Sequence, residues 1–132
     1  MSEQAKLLQE LQKKIQETWT LLDIDTLITE MNTLEKEMQD PEFWSDQENA
    51  TKVGKRHEAL RSDIEQWTAM KEETEELLEL SLDLEKSPDA DMRAELEERV
   101  EQLQKKFEKM EFFVLMNGKH DKKNEIIAIH EV

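Results

Sequence analysis

The sequence predicts an all-α fold, an elongated antiparallel helical hairpin built out into a three- to four-helix, coiled-coil-like bundle. Two glycines and two prolines in 132 residues leave long stretches in which nothing stops a helix once begun. The composition is wrong for a broad β core, with no tyrosine, 5% aromatic residues and 39% charged ones. Apolar residues recur at steps of three and four along most of the chain, the spacing of one helix face.

The first stripe runs Leu8, Leu11, Ile15, Trp19 and Leu22, and predicts a helix over about 3–22. Leu22-Asp23-Ile24-Asp25-Thr26 then places two short carboxylates where a bend would be recapped. A second stripe, Leu27, Met31, Leu34 and Met38, predicts a helix over 26–39 that ends at Asp40-Pro41, because proline disfavours helical geometry in the residue before it. Asp40 as cap and Pro41 as first residue predict a corner over 40–45. Ser45-Asp46-Gln47-Glu48 matches a capping box opening a long helix over 46–85. Its heptad positions include Leu60, Ile64, Trp67, Met70 and Leu77, but also Lys71, Thr74 and Ser81, where looser packing and bending are expected. Ser87-Pro88-Asp89 forms the next corner, and Met92, Leu96, Val100, Leu103, Phe107, Met110 and Val114 predict a last helix over 89–116, ending at Asn117-Gly118. The short corner between two long seams makes them an antiparallel hairpin.

The helical domain is thus expected over 1–118. In the remainder, 119–132, a polar turn precedes Ile126, Ile127, Ile129 and Val132, which read as one strand. A lone strand has no ladder partner, so it is assigned to a further domain whose remainder is not in this sequence.

No catalytic apparatus is legible. His57, His120 and His130 lie in different segments with no cysteine and no His-Glu-x-x-His spacing, and Asp23-Ile24-Asp25 lacks the remaining ligands of a calcium loop. No enzyme activity, cofactor or metal is expected. Thirty-three acidic against 18 basic residues give a net charge of -15, which disfavours an anionic membrane surface and large-area nucleic-acid binding; no direct sequence-specific nucleic-acid binding by this chain is expected, while contact of a localised basic tip with RNA stays open. With no leader and no long apolar run, a cytoplasmic location is expected. Lys71-Glu72-Glu73-Thr74-Glu75-Glu76 reads first as solvated surface and second as a docking face for a basic partner. Trp67 reads as core. Phe43 and Trp44, two large aromatics in one corner, are the candidate contact or packing residues.

The stretch Leu34-Glu35-Lys36-Glu37-Met38-Gln39-Asp40-Pro41-Glu42-Phe43-Trp44-Ser45-Asp46-Gln47 closely resembles the N-terminal domain of bacterial class I peptide chain release factors of the release factor 2 type. Leu22-Asp23-Ile24-Asp25, Glu75-Glu76-Leu77-Leu78-Glu79-Leu80, Met110-Glu111-Phe112 and Asn117-Gly118-Lys119-His120-Asp121 continue it in order. Asn124-Glu125-Ile126-Ile127-Ala128-Ile129-His130 looks like the strand that opens that family's central domain. The resemblance implies translation termination at UGA and UAA, with this domain acting as a mobile arm on the ribosome at the stalk base of the large subunit. It also implies that chemistry lies elsewhere: Gly54 and Gly118 cannot form the family's Gly-Gly-Gln motif, and Ser87-Pro88 is followed by Asp89 where the codon-reading tripeptide has phenylalanine. The competing reading is a stand-alone coiled-coil adaptor or scaffold, and exposed seams would in either case allow a homodimer.

Overall fold

A computed structural model describes residues 1–117 as four helices and one short turn. The strand expected over 125–132 lies outside the described residues. Helix α1 (Glu3–Leu22) is capped by Ser2, whose hydroxyl oxygen accepts from the Ala5 N–H at 3.1 Å. Helix α2 (Ile24–Met38) follows after a single residue, a 3-10 turn (Pro41–Ser45) makes the corner, and α3 (Gln47–Lys86) and α4 (Ala90–Asn117) complete the chain.

The α1–α2 joint is tighter than the sequence suggests. Asp23 adopts the left-handed conformation, φ 54° and ψ 51°, and its carbonyl at once accepts from the N–H groups of Thr26 and Leu27. Its side chain caps nothing. The other carboxylate, Asp25, accepts instead from the Trp19 indole N–H at 3.2 Å, so the two acids serve the bend by different means.

Both long segments run antiparallel to α3. The Ser2 N–H donates to Glu85 at the far end of α3, the Lys71 ammonium lies 4.7 Å from the Trp19 ring, and Arg56 reaches Glu30 of α2. Helix α1 followed by α2 therefore spans the length of α3, about 60 Å for its 40 residues at 1.5 Å each. Helix α4 folds back on the same shaft, with Trp67 edge-on to Phe107 at 6.2 Å and Arg99 near Glu73 and Glu76. Those two contacts draw part of the acidic run into holding α4 on α3.

The core follows from this course. Helices α1, α3 and α4 pack mutually, burying Leu8, Ile15, Leu60, Met70, Leu77 and Leu103 with their neighbours. Each such side chain contributes roughly 1.5–3 kcal/mol on burial. The seams close within one chain.

Thr74 and Ser81 differ from expectation. They are 0% and 1% exposed, and α3 continues unbroken to Lys86. Their hydroxyls donate to the carbonyls of Met70 and Leu78, both at 2.7 Å, so burial leaves no donor unpaired. Met92, in the first turn of α4 at the end of the bundle, stands partly exposed instead of joining the seam. The α4 cap is Asp89, whose carboxylate accepts from the N–H groups of Asp91 and Met92, so Pro88 lies just before the helix.

Candidate functional site

The corner between α2 and α3 is built by short-range hydrogen bonds. Gln39 ends α2 with its N–H turned back to Glu37 and Lys36. Asp40 is extended, φ -75° and ψ 125°, as the residue before proline must be, and its carboxylate accepts from the Glu42 N–H at 3.0 Å. Pro41 opens the turn with its fixed φ and no N–H to satisfy. The Ser45 hydroxyl donates to the Glu42 carbonyl at 2.6 Å, which removes it from the capping role the sequence suggested. Asp46 caps α3 in its place, accepting from the Asn49 N–H at 3.1 Å.

This framework separates the two aromatics. Phe43 is 9% exposed, on a turn that packs against both α2 and α3, whereas Trp44 is 55% exposed. The rings meet edge-on with centroids 4.9 Å apart and an interplanar angle of 81°. The Trp44 indole N–H donates to the Met38 carbonyl at 2.9 Å, satisfying an orphan acceptor at the end of α2. Trp44 therefore offers an apolar face to solvent from a ring already held in place, an arrangement that loses little side-chain entropy on contact.

Two pairs behind the corner hold α2 to α3. Arg56 binds Glu30 bidentately at 2.7 and 2.8 Å, and His57 Nε2 lies 2.8 Å from Glu35. The hydrogen bond from Arg56 holds the Glu30 carboxyl below its ordinary value of 4.5 against the opposing effect of burial, and Glu30 raises Arg56 in return. Along the shaft Arg61 binds Glu58 and Glu65, which lowers Glu58 and raises Arg61. Among the described residues no group of three or more His, Asp or Glu could hold a metal ion, and no helix is long and apolar enough to cross a membrane.

A second apolar surface escaped the sequence reading. Phe112, Phe113, Leu115 and Met116 are all exposed at the end of α4, beside a groove of about 770 Å³. The signal was available. The heptad seam uses only Met110 and Val114 of this stretch, so the other apolar side chains point off the seam.

The PCRF domain family matches residues 27–131. Curated relatives carry the name peptide chain release factor 2. The protein of Listeria innocua is 32% identical over 132 residues, 97% of this chain and 36% of its own length. That of Exiguobacterium is 37% identical over 98 residues, 74% and 26% of the two chains. That of Staphylococcus epidermidis is 29% identical over 130 residues, 98% and 35%. The chain spans about a third of the length of these relatives.

Proposed function

The chain belongs to the PCRF domain family, and from that premise we propose that it serves translation termination as the helical arm of a peptide chain release factor of the release factor 2 type. The family match, which runs from α2 through α4, carries this reading. In it the arm contacts the ribosome in the cytoplasm, at the stalk base of the large subunit, and supports termination at UGA and UAA. Codon reading and peptidyl-tRNA hydrolysis belong to other parts of such a factor. The role of the present residues is positional: a long shaft carries a rigid aromatic corner, and contact energy concentrates at such a fixed aromatic anchor.

Phe43 and Trp44 divide the task. Phe43 seats the corner on α2 and α3, and Trp44 presents the contact face. A homodimer would need surfaces other than the seams, which Leu96, Val100, Leu103 and Phe107 fill within one chain.

Co-sedimentation with ribosomes stalled at a UGA codon, in competition with intact release factor 2, tests the proposal. The arm reading predicts saturable binding that the intact factor displaces. Failure to pellet, or pelleting that the competitor leaves untouched, would instead favour an adaptor that shares only ancestry with the family.

A further inference from the structure

Helix α1 packs on α4, but α2 does not, so beyond the left-handed residue Asp23 the two walls part over α3. The opening is the groove beside the end of α4. Its floor and walls include Ile24, Leu27, Leu60, Trp67, Met110 and Phe113. At about 770 Å³ it has room for several side chains of one helix face. Phe113 stands 61% exposed on its lip.

The rim is cationic in an acidic molecule. Lys106 and Lys109 line the α4 wall, both exposed, and among the described residues neither has a carboxylate within ion-pair distance, whereas Lys105 is held by Glu101 at 3.1 Å. Arg56 lines the opposite side but is engaged by Glu30, and Asp63 is the lining carboxylate. Between Gln102 and Asn117 lysines outnumber acids three to two, against 18 basic and 33 acidic residues in the whole chain.

We propose that this groove docks an acidic amphipathic helix of a partner protein, its apolar face on Leu60, Met110 and Phe113 and its carboxylates on Lys106 and Lys109. The charge pattern selects the occupant. A basic helix would be drawn to the rest of the molecule and repelled here, while at physiological ionic strength charges more than about 8 Å away are largely screened and Lys106 and Lys109, without an ion-pair partner among the described residues, dominate locally. The floor is aliphatic around a buried Trp67 that cannot stack on a base, which favours a protein helix over single-stranded RNA.

The test is fluorescence anisotropy with two labelled synthetic peptides of about 18 residues, both with leucines at helical spacing on one face, one with glutamates elsewhere and the other with lysines. The acidic peptide should bind at least about tenfold more tightly than the basic one. K106E/K109E should reverse that order, and Phe113→Asp should abolish binding while leaving thermal melting unchanged, since the ring is mostly in solvent. Equal or tighter binding of the basic peptide, or indifference to Phe113→Asp, would overturn the proposal. So would binding that appears only in I126D/I127D, which would make the chain's own tail the occupant. A concentration-dependent dimer broken by Phe113→Asp but not by the acidic peptide would overturn it in favour of a second copy.

Discussion

At Phe43 the ring has lost nine-tenths of its exposure, whereas the adjacent ring of Trp44 keeps 55% of its own, so truncation should affect them differently. Phe43→Ala is expected to destabilise the chain by about 2–4 kcal/mol, because it empties a packed site between two helices. Trp44→Ala should cost about 1 kcal/mol or less, the worth of one hydrogen bond and an edge contact. Thermal melting followed by circular dichroism would separate the two, and equal losses would show that Trp44 is also structural. Gly54 offers a change in the other direction. It lies inside α3, and a Cβ there would meet nothing within 4 Å, so Gly54→Ala should stabilise by about 0.5–1 kcal/mol through helix propensity alone. A lowered melting temperature would mean that the site is constrained by something other than helix formation.

At the scale of elements, the Glu30–Arg56 pair fastens α2 to the beginning of α3. The folded-state value of Glu30 is depressed, so its contribution is present above the ordinary carboxylate range and is lost as pH falls through the lowered value. An exposed pair of this kind is worth less than about 1 kcal/mol. Comparing the native chain with Glu30→Gln isolates it from the general relief of a -15 charge: the stability difference seen at neutral pH should shrink below 4.5. A difference that persists to strong acid would contradict the ionic origin. Leu103→Asp would bury an unpaired carboxylate in the α3–α4 seam, and helicity should collapse at moderate temperature. Unchanged melting would show the seam to be wrongly assigned. That seam was legible because a step of three and four is imposed by helix geometry itself. The state of Thr74 and Ser81 was not, since whether a small hydroxyl loosens a seam or is buried in it depends on neighbours from other helices. The capping role at α3 was misread for a related reason: Ser45 and Asp46 are both good caps, and the turn geometry that commits Ser45 to Glu42 is not written in either residue.

At the scale of the whole molecule, tandem α1 and α2 alongside an unbroken α3 produce a shaft with different ends. One end gathers the chain's first residues, the last turns of α3 and the α3–α4 corner, and the other presents the aromatic corner. The long shaft was legible from the absence of proline between Gln47 and Lys86, where the one glycine, Gly54, weakens a helix without ending it. The groove was not, because it arises where α2 departs from α4 at a left-handed aspartate, a conformation that few non-glycine residues adopt and that an aspartate permits without requiring. The same partition governs the functional reading. Phe43 and Trp44 were recognisable together as a candidate corner, but only their packing shows that one faces inward and the other outward. The most direct measurement is therefore the affinity of Trp44→Ala for ribosomes stalled at a UGA codon, read beside its melting temperature. The arm account predicts clearly weakened binding with melting nearly unchanged. Native affinity in that variant would contradict it and remove the corner from the contact.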